Sequence, residues 1–262
     1  MLKHYFDPNQ RISRVVIIGL GGTGAQVARI LGRMCYDMRE KQYHTPKIVL
    51  IDPDKIEVKN VGRQLFVSSD VNQYKAAIVA KRLNFGLGLD VAWYPEAVSA
   101  DKHFDRYGSD LVISCVDNFE ARREIYKVSG IHLSAGNYST GGQVCIGNTN
   151  DVDLIERYFE QDRIRYLPKE GLLLPELLEA EDPLDDPVID DTLSCAELVQ
   201  AEEQSLLIND WMANIVGQYA YKLLHRQPIY HFMTFLDCDT LSMRSLPISK
   251  EELEVYLPKN KE

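Results

Sequence analysis

The chain has 262 residues, 45% of them apolar and 26% charged, the make-up of an ordinary globular protein with enough apolar residues for one substantial core. Its 29 Lys and Arg stand against 39 Asp and Glu, a formal charge of −10 that repels nucleic-acid phosphates and anionic membrane surfaces. No apolar stretch approaches the length that spans a bilayer, and the stretch from Met1 to Arg11 lacks a signal peptide's apolar run. A cytoplasmic protein with neither nucleic acid nor membrane as partner is expected.

From Arg14, the residues Val15, Val16, Ile17 and Ile18 form a β-branched run too short for a helix and apolar on both faces, as in the central strand of a parallel sheet. The run leads into Gly19-Leu-Gly21-Gly22-Thr-Gly24, and apolar residues at helical spacing follow from Ala25. Lys47 to Asp52 reads as a second buried strand ending in an acid, and Gln73 to Leu83 as a helix. A third strand over Ser109 to Cys115 precedes a helix over Asn118 to Lys127, with Asn118 as its N-cap. Strands alternating with helices predict an α/β fold with a mostly parallel, Rossmann-like sheet and helices on both faces.

Beyond Gly136 the alternation stops, and Asn137 to Gly147 carries glycines and β formers that suggest antiparallel strands. Pro175 to Asp191 then holds eight acids, three prolines and no base, which reads as an exposed, mobile crossover within about residues 165–194. Ser194 and Glu197 have capping-box spacing, and a helix is expected from there to Leu224 through Leu206, Leu207, Trp211, Ile215, Tyr219 and Leu223. His231 to Leu236 and Leu241 to Leu246 form a hairpin-like pair, with a charged, fraying tail from Ser249. Trp93 and Trp211 read as packing residues, and the six histidines lack ligand spacing. Cys35, Cys115, Cys145, Cys195 and Cys238 form neither a C-x-x-C zinc pair nor a disulfide framework, and four of the five read as small buried hydrophobes.

The glycine turn between strand and helix lets backbone approach a phosphate at a helix N-terminus, and Asp52 can accept hydrogen bonds from ribose hydroxyls. So far an NAD(P)-dependent Rossmann oxidoreductase would serve as well as an ATP enzyme. The loop Asp52-Pro-Asp54-Lys-Ile-Glu-Val-Lys-Asn60-Val-Gly-Arg63-Gln64 shifts the balance, because hydride transfer has no evident use for the acids Asp52 and Asp54, the amide Asn60 and the cation Arg63 together there. Attack of a carboxylate on the α-phosphate of ATP does: a cation neutralises phosphate charge and an acid holds Mg²⁺ bridging the phosphate oxygens. Lys75 opens the next helix, and Cys115-Val-Asp117-Asn118 ends a strand at the same sheet edge, making Asp117 a second candidate Mg²⁺ ligand.

These segments resemble the ubiquitin-activating superfamily, in its bacterial ThiF/MoeB/HesA branch, over roughly residues 12–145 and again at Ser194-Cys195-Ala-Glu197. Within it the sequence is most similar to the ThiF-related member of bacterial PRTRC cassettes. The resemblance implies ATP- and Mg²⁺-dependent adenylation of the C-terminal glycine of a small ubiquitin-like, β-grasp protein. By matching positions, Gly19, Gly21, Gly22 and Gly24 contact phosphates and Asp52 holds the ribose. Asn60, Arg63 and Lys75 bind and polarise the triphosphate, Gln64 supports the loop, and Asp117 ligates Mg²⁺ with Asp54 and Asn118 nearby. Cys195 matches the position at which many relatives form a thioester, a thiol favoured by a helix start but opposed by the acids before it.

The same resemblance implies one adenylation unit over residues 1–262, with a nucleotide-binding half at 12–135 and a mixed-sheet half at 136–262, working as a homodimer. A PRTRC setting adds an operon-linked JAB-type metalloprotease as a further partner. Three departures stand out. The C-x-x-C pairs that hold zinc in relatives are missing, so no zinc is expected. Only Arg11 or Arg14 could stand for the arginine that relatives send into the partner subunit's site, and no rhodanese-like domain follows. A catalytically idle assembly subunit is the third reading, against which the intact Asn60, Arg63, Lys75 and Asp117 set argues.

Overall fold

The computed structural model describes residues 4–104, 107–138, 140–159, 163–178 and 207–257. A short strand β1 (Tyr5–Phe6) precedes β2 (Arg14–Ile18), α1 (Gly22–Glu40), β3 (Lys47–Ile51) and α2 (Lys75–Leu87). There follow β4 (Ala92–Tyr94), α3 (Ala100–His103), β5 (Asp110–Ser114) and α4 (Phe119–Tyr126). Next come β6 (Ile131–Asn137), β7 (Gly141–Gly147), α5 (Val152–Tyr158), β8 (Arg163–Ile164) and α6 (Glu170–Leu173). The last elements are α7 (Ile208–Leu224), β9 (His231–Asp237), β10 (Ser242–Pro247) and α8 (Lys250–Tyr256).

One eight-stranded sheet runs β10-β9-β7-β6-β5-β2-β3-β4, and β1 pairs with β8 in a separate two-stranded sheet. From β4 to β6 the neighbours are parallel, and from β6 to β10 they are antiparallel. Alternation of side chains explains why β2 had to be apolar throughout. Val15 and Ile17 pack into the core shared with α1, α2 and α7, while Val16 and Ile18 enter the second core with Val49, Val112 and Ile125. Each such buried side chain contributes about 1.5–3 kcal/mol by transfer from water. Helix α7 lies against α1 so closely that a Cβ on Gly217 would stand 2.8 Å from Cγ2 of Ile30.

The chain leaves β2 toward β3 and β4 on one side, then returns to place β5 and β6 on the other. The carboxyl ends of β2 and β5 therefore flank the topological switch point, where a crevice must open in a doubly wound sheet.

The expected α/β class and the antiparallel turn of the second half are what the structure shows. Asn118 caps α4 as read, its Oδ1 accepting from the Ala121 N–H at 2.8 Å. Other expectations need correction. The tail does not fray at Ser249: its Oγ accepts from the Glu252 N–H at 3.2 Å and starts α8. Trp93 and Trp211 are 42% and 50% exposed, so neither is a core packing residue. The first residues of the acidic stretch, Pro175–Leu178, form a 3₁₀ turn. Its remainder, the Ser194–Glu197 box, Leu206 and Cys195 lie outside the described residues. No helix among the described residues is long and apolar enough to cross a membrane.

Candidate active site

The turn after β2 is built on two glycines, Gly19 and Gly24, that no other residue could replace. Gly19 has φ +80°, and a Cβ there would come 2.6 Å from the Cys115 carbonyl oxygen. A Cβ on Gly24 would stand 1.7 Å from the carbonyl oxygen of Gly19, because the first turn of α1 folds back directly onto the strand end. The N-terminus of this 19-residue helix, with its unpaired N–H groups and positive potential, is thereby held at the switch point. Gly21 is different: a Cβ there would meet only Nε2 of Gln64, at 3.8 Å.

A cavity of about 450 Å³ opens beside this turn. Its wall is formed by Gly19 and Gly21, by Asp52 and Asp54 after β3, by Gln64 and Lys75, and by Cys115 to Asn118 after β5. Ala97, Val98 and Ala121 give it an apolar side, next to Glu120 and Glu124 of α4.

Asp52 ties two of these segments together. Its Oδ2 accepts from the Leu20 N–H at 2.5 Å and its Oδ1 from the Asp54 N–H at 2.8 Å. Burial pushes its carboxyl above the ordinary aspartate range, against the pull of those hydrogen bonds and of the Lys75 charge. Lys75, the first residue of α2, has a buried side chain whose Nζ donates to Asp54 Oδ2 at 2.8 Å.

Asn60 is also buried, with Oδ1 accepting from the Glu57 N–H at 2.8 Å and its carbonyl accepting from the Gln64 N–H at 3.0 Å. It thus shapes the loop that carries Gln64 to the cavity. Gln64 Oε1 is buried there with no hydrogen-bond partner among the described residues. Arg63 sits exposed on the same loop, beside Gly62 at φ +81°, in contact within the chain. Asp117 is exposed at the cavity rim, and Asn118 joins it there while capping α4.

Gly22 is turned toward helix α7, where Asn209 lies against it. Cys195 lies outside the described residues. Arg14 and Arg11 stand toward the amino ends of the strands: Arg14 Nη2 pairs with Asp110 Oδ2 at 2.6 Å, and Arg11 Nη2 reaches His44 Nδ1 at 2.9 Å.

Two residues beside the site, Arg122 and Asn209, went unread in the sequence. Arg122 Nη2 donates to the Val116 carbonyl and Nη1 to Glu170 Oε1, both at 2.8 Å, clamping the loop that carries Asp117. Within Glu-Ala-Arg-Arg-Glu it looks like part of a solvated helix face. Cys115 lines the cavity floor, and burial pushes its thiol up to about 12, so it stays a neutral thiol. Asn209 gives no signal beyond its place in a helix.

Acids outnumber bases around the cavity, with Asp52, Asp54, Asp117, Glu120 and Glu124 set against Lys75. Among the described residues no three His, Cys, Asp or Glu stand close enough to hold a metal by themselves. Asp54 and Asp117 suit Mg²⁺, which commonly binds through one or two carboxylates while phosphate oxygens and water complete its octahedron.

Residues 9–255 match the ThiF family. The chain belongs to the ThiF family. This ThiF-family chain is 31% identical over 129 residues to ubiquitin-like modifier-activating enzyme 5 of Drosophila melanogaster, covering 44% of the chain and 30% of that protein. It is 32% identical over 130 residues to the protein of that name from Aedes aegypti, with the same coverage, 44% and 30%. It therefore spans about a third of the length of these curated relatives. Among solved structures, E. coli MccB with ATP aligns with TM-score 0.57 at 16% identity, over 90% of this chain and 64% of that one. PaaA aligns with TM-score 0.55 at 17% identity, again over 90% and 64%. At such identity these two structures share the fold.

Proposed function

We propose that this chain binds ATP with Mg²⁺ in the cavity between β2 and β5 and adenylates the C-terminal glycine carboxylate of a small ubiquitin-like protein of β-grasp fold. The observation that carries the reading is the meeting of the α1 N-terminus, buried Asp52, buried Lys75 and Asp117 in one cavity of about 450 Å³. The family membership supports it, as do the likeness to a ubiquitin-like modifier-activating enzyme and the MccB structures with ATP and with MccA.

The cavity fits the nucleotide in its polar detail. Gln64 Oε1 is a buried acceptor awaiting a donor, which a nucleotide hydroxyl or amino group supplies. Asp52 keeps a second acceptor site on each oxygen for the ribose. The N–H groups at Gly21, Gly22 and Gly24 take the phosphates, and Lys75 Nζ exchanges Asp54 for a phosphate oxygen. Arg63 closes over the triphosphate from its exposed loop, and Asp117, with Asp54, holds Mg²⁺, which offsets the phosphate charge.

In the reaction a carboxylate oxygen of the partner attacks the α-phosphorus, a new O–P bond forms, and the bond to the bridging oxygen breaks. Pyrophosphate leaves with the electron pair. The finer reading adds transfer of the acyl group to the Cys195 thiolate, a C–S bond replacing the acyl–adenylate C–O bond as AMP departs. It also places the chain in a PRTRC-type cassette as a cytoplasmic homodimer, with a JAB-type metalloprotease in the same operon.

Nucleotide titration tests the binding half of this proposal. ATP with Mg²⁺ binds, Lys75→Ala weakens it at least about tenfold, and NAD fails to displace it. Tight NAD binding that excludes ATP would instead make the chain a dinucleotide oxidoreductase.

A further inference from the structure

A second, much smaller cavity of about 20 Å³ lies under α4, with room for one water or one monatomic ion. Its polar wall comes from Ser114 at the end of β5, His132 and Ser134 of β6, Arg122 of α4, and Lys169 and Glu170 at the start of α6. Parallel pairing sets Ser114 beside Ser134, so the two side chains rise from the same face of the sheet. Both residues are only 4% exposed, and neither Oγ has a hydrogen-bond partner among the described residues. Two adjacent buried hydroxyls without partners are rare in a folded chain and point to an occupant between them.

The charges of the wall say which occupant fits. Lys169 is as deeply buried as the serines, and its Nζ donates to the Tyr126 carbonyl at 3.1 Å and the Val128 carbonyl at 2.6 Å, which leaves one of its three N–H donors over. Glu170, next to it, is taken by Arg122 at 2.8 Å, and no acid pairs with Lys169 among the described residues. Burial lowers its pKa only to about 8, so the amine is still charged at neutral pH. His132 adds no charge, because its Nε2 donates to the Val128 carbonyl and burial keeps the ring neutral. Arg122 and Glu170 cancel, and one buried positive charge is left in surplus beside two hydroxyls with protons to give. A water would satisfy the hydroxyls and leave that charge uncompensated, whereas an anion does both.

We propose that this cavity binds one monatomic anion, a chloride, held by the hydroxyls of Ser114 and Ser134 and by the ammonium of Lys169. The anion joins β5, β6 and α6 beneath the clamp in which Arg122 holds the Val116 carbonyl, directly before Asp117. No residue lines both this cavity and the one beside the glycine turn, so the inference stands independently of the ATP reading.

Two measurements on the full chain test this. Melting is compared in sodium chloride and in sodium gluconate at equal ionic strength, gluconate being far too large for the cavity. The wild type melts about 3 °C higher in chloride at roughly ten times the dissociation constant, and the gain grows only logarithmically beyond it. The double variant Ser114→Ala, Ser134→Ala keeps the strands and loses the chloride-specific gain, as does Lys169→Met. Crystals grown in sodium bromide show an anomalous scattering peak between Ser114, Ser134 and Lys169.

Equal melting of the wild type in chloride and gluconate, or no anomalous peak in the cavity of the bromide crystals, overturns the proposal and leaves the site to a buried water. A chloride gain that survives in the double serine variant and in Lys169→Met places the anion elsewhere on the chain and overturns it as well. The bromide peak decides by itself if a variant does not fold.

Discussion

Lys75 Nζ stands 2.8 Å from Asp54 Oδ2, yet the two ends of this ion pair live in different surroundings: the lysine side chain is 10% exposed and the aspartate 61%. The cation is the fixed partner and the carboxylate the replaceable one. A phosphate entering the cavity can therefore take the place of Asp54 without Lys75 having to move far. Lys75→Met removes the charge that holds the Asp52 carboxyl down against its burial. Carboxyl-detected NMR titration of this variant shows Asp52 protonating at higher pH than in the wild type. An unmoved titration would mean that the two side chains do not share one electrostatic site.

The glycines of the turn differ in what they tolerate. Gly19→Ala sets a side chain at φ +80° against the Cys115 carbonyl, and Gly24→Ala drives one into the Gly19 carbonyl. Each destabilises the fold by about 3 kcal/mol or more. Gly21→Ala meets only ordinary contact with Gln64 and melts within about 1 kcal/mol of wild type. Denaturant unfolding of the three variants gives the comparison, and a Gly21→Ala as unstable as Gly24→Ala would contradict the geometry of the turn.

At the opposite edge of the sheet, Arg14 Nη2 reaches Asp110 Oδ2 at 2.6 Å and Nε reaches Oδ1 at 2.8 Å, a bidentate pair whose aspartate side chain is fully buried. Arg14→Ala removes the bidentate partner of that buried carboxylate and costs about 3 kcal/mol of stability. The loss appears as a lower unfolding midpoint with an unchanged denaturant slope, and nucleotide affinity stays as in the wild type. A loss of ATP binding at unchanged stability would show that Arg14 serves the cavity instead.

His132 sets part of the acid response. Its Nε2 bonds the Val128 carbonyl at 2.9 Å, and burial, with the nearby Lys169 charge, holds the imidazole neutral down to about pH 3. The unfolded chain takes up this proton near pH 6.5. Between those two values the unfolded state binds the proton that the folded state refuses, so stability falls as pH drops from about 6.5 toward 3. His132→Gln is less stable at pH 7 through lost packing, but the gap narrows by about 1–2 kcal/mol at pH 5. A gap constant between pH 7 and pH 5 counts against a neutral His132.

Legibility in the sequence followed the range of the interactions. Strand β2, the glycine turn, β3 and β5 could be read because their cause is local: β-branched residues buried on both faces and a backbone that must turn at once. Strand β6 was blurred because His132 and Ser134 interrupt its apolar run while facing the buried polar groups under α4. Strand β4, with all three residues exposed, carries no pattern at all. The same rule holds in the site. Asp52, Gln64, Lys75 and Asp117 line the cavity and stand in or beside recognisable turns. Arg122 and Asn209 act through partners from remote segments, contacts that exist only once the sheet has brought α4, α6, α7 and α1 together.

Carboxylate activation is tested most directly by exchange of labelled pyrophosphate into ATP, with Mg²⁺ and a small β-grasp protein from the same operon. The predicted result is exchange that requires the partner's C-terminal glycine and is abolished by Arg63→Ala and by Asp117→Ala. Absence of exchange with every such partner, in a chain that binds ATP, would contradict carboxylate activation and leave an idle assembly subunit.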